Sequence, residues 1–453
     1  MIRRSLPLAW PALLLGALVT LPPTAAAEPR VLPDSTVLDI SQLSNGLRVV
    51  VRHLPRTSHV AITLAWPTGS DSDPPGQLGR AALLAELLMM AGAGDAPERT
   101  REELDILRPD GWGAGVSPRV TQITEIGTRA QFPGLVRQMA QRLRGVTVND
   151  SSLSRALVRV RGDVRAQRSP TSNAELYVAA RDVARGSYDP GAAEAGLRAL
   201  AKVKVADVQS LLGRTFVPTG AVLSLAGNLG EMNLPALIQN EFGSIPAGTR
   251  LAAPEPQRLT KGNRDLKRDG LPGPAGTLAI IAPALEDSLH PSFYLSMLFL
   301  GGYASKQWKA PAAPLTSRFQ YSLFDDPDLA RFYPQPGPGT AADTALDLEF
   351  NELVSKMGTM MFPPESFDAV LRGVAWLVGA PLPRETLLRA RREPRLLATL
   401  SSNQAVRELW GGEPFWNEYR RKLVPDRFKE FHIWVGYLLD QSNRVRVLLR
   451  PSR

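Results

Sequence analysis

The sequence predicts two consecutive domains of similar plan, each mixing β-strands with α-helices. Three observations lead there. The chain has 453 residues, enough for two or more domains with substantial cores. Hydrophobic residues make up 44% and charged residues 21%, the balance of an ordinary globular protein. Strand-like and helix-like patterns interleave along a first stretch, pass through a Pro/Gly-rich interruption, and then start again. By itself this interleaving allows α+β or α/β domains.

The first 27 residues stand apart. "MIRR" is a short basic start, "LPLAWPALLLGALVTL" is apolar, and "PPTAAAE" ends in small residues. This reads as a secretory signal peptide cleaved after Ala27, which places the mature chain in the periplasm. The apolar run is short and broken by proline, so it does not make a spanning helix, and no later segment is long and apolar enough to cross a membrane. Cysteine is absent, which excludes a lipid-anchored cysteine, disulfides, a thiolate nucleophile and a cysteine metal site. The formal charge of +9 falls to near +7 without Arg3 and Arg4. The arginines are spread along the chain and no recognition motif accompanies them, so nucleic acid is not an expected partner.

The first domain is expected over residues 36–247. "SNGL" is a turn between extended runs. "LRVVVRHL" and "HVAITLAW" are rich in β-branched residues, and the second alternates as a strand with one buried face does. Helices are expected over 79–91 and 98–108, the latter opened by a capping box of Thr100 and Glu103. "VTQITEIGTRA" reads as a strand. Helices follow over 133–144, 151–168, 173–186 and 204–214, then a strand in "TGAVLSLAGNL" and a helix in "LPALIQNEFGSIP". Residues 248–264 read as a linker, poor in apolar periodicity. The second domain, 265–453, begins with the strand "AGTLAIIAPAL" and the apolar helix "HPSFYLSMLFLGG", and closes on the alternating strand "NRVRVLLRP".

These segments, in this order and spacing, resemble the insulinase/pitrilysin-like zinc peptidases, the inverzincins. The resemblance rests on "LSNGLRVVV", "VAITLAWPTGSDSDPPGQLGRAALLAELLM" and "GNLGEMNLPALIQNEFGSIPAG" in the first half. In the second it rests on "AGTLAIIAPALEDSLHPSFYLSMLFLGGYASKQW" and "RVRVLLRP". It implies an α+β fold in which each domain is a mostly antiparallel sheet with helices on one face. Such a pair of domains is half of a chamber around a peptide.

The family's metal motif is H-x-x-E-H on a helix. Its histidines, four residues apart, share one face and one zinc ion, its glutamate is the general base, and a distal glutamate completes the ligands. Matching "GRAALLAELLM" to that pattern puts Ala82 at the first histidine, Ala85 at the base and Glu86 at the second histidine. The distal position falls at Gly162 or Asp163. The chain has four histidines, His53, His59, His290 and His432, and none lies four residues from another, so no such motif exists anywhere. His53 and His59 read as surface residues, His290 and His432 as structural ones. Leu83, Leu84, Leu87 and Leu88 make the same helix a core helix, with Glu86 either solvated or paired with an arginine. A site with no imidazole and no base is a poor zinc site, so zinc is expected in a partner subunit and in no site of this chain.

Active relatives also use an arginine and a tyrosine seven residues apart in the second domain, to hold the substrate and the oxyanion. Here Tyr321 takes the tyrosine position and Pro314 the arginine position, with Arg318 the nearest substitute. Arg318 and Tyr321 are thus candidate substrate contacts, on opposite faces if this stretch is extended. The run Arg155, Arg159, Arg161, Arg165, Arg168 reads as a solvated helix face, or as a chamber wall that attracts acidic peptide. The expected function is a non-catalytic, exported peptidase homologue that pairs with a zinc-bearing relative around a peptide. The alternatives are a stand-alone envelope binding or scaffold protein and an active peptidase with an atypical site built on Glu86 and Asp163.

Overall fold

The computed structural model describes residues 36–40, 42–167, 173–189, 191–229, 232–250, 258–269, 274–307, 318–334, 342–359, 364–423 and 431–452. The leader, Pro314, Arg168 and the side chain of His432 lie outside these residues. The first sheet contains β1 (Thr36–Ile40), β2 (Arg48–His53), β3 (His59–Trp66), β4 (Trp112–Val116), β5 (Thr121–Thr128) and β6 (Val222–Gly227). Its strand order is β1-β2-β6-β3-β5-β4. Only the β2/β6 pairing is parallel; the others are antiparallel.

The second sheet contains β7 (Gly262–Arg268), β8 (Ala275–Ile281), β9 (Phe319–Ser322), β10 (Asp326–Phe332) and β11 (Arg444–Pro451). Its order is β7-β11-β8-β10-β9, with β7/β11 parallel and the rest antiparallel. Setting β7 against β2, β8 against β3, β9 against β4, β10 against β5 and β11 against β6 superposes the two orders strand for strand. The chain is therefore two α+β domains of one plan, with β1 added to the first. The duplication read from the sequence is a duplication of topology. Strand β7 begins inside the segment expected as linker, because its polar text "GNRDLKR" belongs to an edge strand with little apolar alternation.

The helices of the first half are α1 (Arg80–Met90), α2 (Arg101–Leu107), α3 (Phe132–Arg144), α4 (Asp150–Gln167), α5 (Asn173–Ala184), α6 (Ala192–Leu200), α7 (Val205–Thr215) and α8 (Leu234–Phe242). Those of the second are α9 (His290–Gln307), α10 (Ala342–Thr359), α11 (Pro364–Ala375), α12 (Arg384–Arg392), α13 (Pro394–Leu409), α14 (Gly412–Lys422) and α15 (Phe431–Leu439). Among the described residues no helix is long and apolar enough to cross a membrane.

Each sheet packs its own helices on one face, as expected. The first core joins Val49, Ile62, Leu64 and Ile123 of the sheet to Leu83 and Leu87 of α1 and to Leu135 and Met139 of α3. The opposite face is not bare. Helix α13, from the second half, lies across the first sheet: Leu396, Leu397 and Leu400 pack with Ala61, Ile126 and Ala226. Helix α5, from the first half, lies across the second sheet: Leu176, Ala179, Ala180 and Val183 pack with Val445, Val447 and Leu449. The two halves thus exchange one covering helix each.

Candidate functional site

Helix α1 is anchored at its start by Asp73, whose carboxylate accepts from the Gly79 amide at 2.9 Å and the Ala81 amide at 2.7 Å. That uses two of the amides a helix N-terminus leaves unpaired. Gly79 sits at φ +93°, in the left-handed region where glycine is favoured. From there the leucines Leu83, Leu84, Leu87 and Leu88 face the core. Ala82 and Glu86, four residues apart, share another face. Ala85 is 2% exposed and packs into the core.

Glu86 is buried and both its oxygens are occupied. Arg101 donates from Nε to Oε1 at 2.9 Å and from Nη2 to Oε2 at 2.5 Å. This fork is the strong form of a charge-assisted hydrogen bond. Arg101 is the first residue of α2, and the capping box read from Thr100 and Glu103 is formed in full. The cap therefore fixes where the arginine stands. Its guanidinium lies over the ring of Trp112 on β4, 5.2 Å from the centroid, and Trp112 donates from Nε1 to Asp105 at 2.9 Å. Helix α2 is so tied on one side to α1 and on the other to β4.

Asp163, on α4, pairs with Arg159 at 3.1 Å. Burial raises its pKa; Arg159 and Arg101 act against that, and Glu86 adds to it. Burial disfavours the charge on Arg101, but Glu86, Asp163 and Asp105 together outweigh it and hold the guanidinium protonated. Glu86, Arg101 and Asp163 thus act on one another electrostatically, Glu86 being the residue matched above to the second histidine and Asp163 one of the two matched to the distal ligand. Neither an imidazole nor a base is present, and the one buried carboxylate has its lone pairs on a guanidinium. These donors do not fit zinc. Among the described residues no group of three or more His, Asp or Glu side chains could hold a metal ion.

The second candidate pair is placed elsewhere. Tyr321, on β9, is buried, and its hydroxyl donates to the Pro327 carbonyl at 2.9 Å. Arg318 is 4% exposed and donates from Nη1 to the Tyr333 carbonyl at 3.1 Å. Both side chains are thus buried in the second half. Of the arginine run, Arg155 pairs with Glu98 and Arg159 with Asp163.

Two histidine expectations also change. His59 is not a free surface residue: Nε2 lies 3.0 Å from Asp110 and Nδ1 2.8 Å from the Ser58 hydroxyl. His53, at the end of β2, is half-buried. His290 is structural as expected. It is fully buried, with Nδ1 2.8 Å from the Tyr419 hydroxyl and Nε2 3.2 Å from that of Tyr321. Burial pushes its pKa down to about 4. An unfolded histidine titrates near 6.5, so the unfolded chain takes the proton first. The contribution is present above about pH 6.5 and lost as pH falls toward 4. At about 1.4 kcal/mol per unit it amounts to about 3 kcal/mol. Urea unfolding at pH 7 and pH 4.5 should show a drop for the wild type that His290→Gln lacks; parallel profiles would refute it.

Sequence reasoning missed Arg101 and Trp112 as members of the site. The signal for Arg101 was its place inside a capping box, directly after Thr100. Nothing in the text pairs it with Glu86, fifteen residues earlier. Trp112 lies in "WGAGV", whose two glycines hide a strand.

No family profile matches the sequence, and no curated protein does. Solved structures do. The crystal structure of a protease from Helicobacter pylori matches 93% of this chain and 100% of its own at TM-score 0.72 and 15% identity. The periplasmic protease PqqL from Escherichia coli matches 94% of this chain over 48% of its own, at TM-score 0.65 and 15% identity. A peptidase M16 inactive domain from Pseudomonas fluorescens matches 92% of this chain and 98% of its own, at TM-score 0.62 and 14% identity. The chain has the fold of the M16-like peptidases, which is also that of their inactive domains.

Proposed function

We propose that this chain is a non-catalytic, exported peptidase homologue that binds peptide and pairs with a zinc-bearing subunit of the same fold. The observation that carries the reading is Glu86 locked to Arg101 at the motif helix, with Ala82 and Ala85 beside it. Water activation needs an open metal position and a base, and neither can be built from these residues. Peptide binding needs less. Strand β4 ends the first sheet, is half-exposed along its length, and adjoins α1 and α2. A free edge of this kind can accept an extended peptide as a further strand. Partnering is supported by the longer relative that carries this fold on about half of its chain. Two chains of the present length would together supply what that protein holds in one.

Purified protein incubated with zinc and dialysed should retain far less than one ion per chain and should leave labelled casein uncleaved. Stoichiometric zinc with chelator-blocked cleavage would remove the non-catalytic reading. Co-expression with a relative bearing intact H-x-x-E-H should give a one-to-one heterodimer in native mass spectrometry. Two monomers would remove the partnering, and a homodimer that binds peptide would favour a stand-alone binding protein.

A further inference from the structure

The residues at the motif helix do not fit zinc, yet they do not leave its place without positive charge. Arg101 reaches Glu86, at the second histidine's position, with two hydrogen bonds. It also acts electrostatically on Asp163, which with Gly162 is a candidate for the distal position. A cation thus stands hydrogen-bonded to the carboxylate at the second histidine's position, and its charge acts on Asp163, one of the two residues matched to the distal ligand. We propose that Arg101 is a built-in cation in the metal's stead, and that it binds a backbone carbonyl oxygen of a peptide strand paired with β4. This rests on the peptide-binding reading above and adds the residue and the chemistry.

Four features support the assignment. The fork to Glu86 uses Nε and Nη2, so Nη1 lies on the other side of the planar guanidinium with no hydrogen-bond partner among the described residues. The side chain is 29% exposed, so the arginine is not sealed inside the protein. Trp112 stacks the guanidinium against the free edge strand. The capping box fixes the residue's backbone. A guanidinium donates to a carbonyl oxygen as a metal would polarise it, but it carries no exchangeable water. The site therefore holds peptide without hydrolysing it. Because it reads backbone, it accepts extended peptides of many sequences.

The probe is a fluorescein-labelled pool of casein decapeptides, read by fluorescence anisotropy. Arg101→Gln should weaken binding about tenfold, the loss expected for a charged donor to a carbonyl. Its melting temperature, measured alongside, shows whether the variant is folded. Wild-type affinity in folded Arg101→Gln would overturn this inference while leaving the peptide-binding reading intact. No binding by wild type would overturn both. A second measurement needs no variant: hydrogen exchange of the wild type with and without the pool. Slowed exchange of the Trp112–Val116 amides is expected, and unchanged exchange there overturns the pairing with β4.

Discussion

Expressed separately, residues 28–257 and 258–453 should each fail to fold cooperatively, and co-expression should restore one cooperative unit. The reason is the exchange of helices. The first half alone exposes the sheet face that α13 covers, and the second alone exposes the face that α5 covers. Leu382, Leu387, Leu396, Leu397 and Leu400 are all at most 5% exposed in the cluster over the first sheet. At about 1.5–3 kcal/mol for each fully buried large side chain, five of them are worth on the order of 10 kcal/mol, comparable to the whole stability of a domain. Polar contacts add to this. Ser401 donates to the Ser224 carbonyl at 2.9 Å, Arg52 donates to Gln404 at 3.2 Å, and Arg48 pairs with Glu408 at 2.6 Å. Within the first half, Arg181 of α5 and Arg185 just after it pair with Asp71 at 2.7 and 2.5 Å, which ties α5 to its own half while its apolar face serves the other sheet. Circular dichroism melts of each half decide the matter. A sigmoidal transition from either half alone would contradict it.

The same exchange marks the limit of what the sequence shows. Elements that own their core are legible: "HVAITLAW" alternates because only one sheet face meets the helices of its own half, and the strand spans His59–Trp66. The capping box at Thr100 is legible because its donors and acceptors lie three residues apart. Helix α13 is not legible in this way. Ser401, Ser402, Asn403 and Gln404 are residue types that usually face water, yet all four are buried. Their partners lie some 180 to 350 residues away, where no local pattern reaches. The site divides similarly. The loss of the metal motif is legible from four scattered histidines, whereas the arginine that answers Glu86 is fixed by packing of α2 between α1 and β4. Tyr321 aligned by count, but an aligned position does not specify which way a side chain faces, and its hydroxyl is turned inward to the Pro327 carbonyl.

Replacing Glu125 by alanine should destabilise the protein by about 3–5 kcal/mol, the usual effect of removing one member of a buried ion pair. Glu125 lies mid-strand on β5 and is fully buried. It faces the helix side, where Arg108 donates from Nε at 2.6 Å and Arg142 donates from Nη1. Burial opposes its charge, and Arg142 and Arg108 outweigh burial and hold the carboxyl below its usual range. Alanine would leave two guanidinium groups inside the protein with no counter-charge. Among the described residues Arg142 reaches besides the Met89 carbonyl at 3.5 Å and the Met139 sulfur at 3.9 Å, and Arg108 has Gln138 at 2.6 Å and the Leu107 carbonyl at 3.1 Å, none of them charged. Glu125→Gln should cost nearly as much, since it keeps the shape but not the charge. Arg108→Met should cost less, because Arg142 still neutralises the glutamate. This grading distinguishes charge from packing: a volume effect would make alanine much worse than glutamine. Urea unfolding at pH 7 reads all three variants, and a loss below about 1 kcal/mol for alanine would contradict the charge assignment. The position matters for the site as well. Arg108 directly follows α2, the helix that carries Arg101, so the buried triad pins the far end of that helix while the capping box pins its start. Loss of Glu125 should therefore loosen the Arg101–Glu86 pair without touching it, and weaken peptide binding before the protein unfolds.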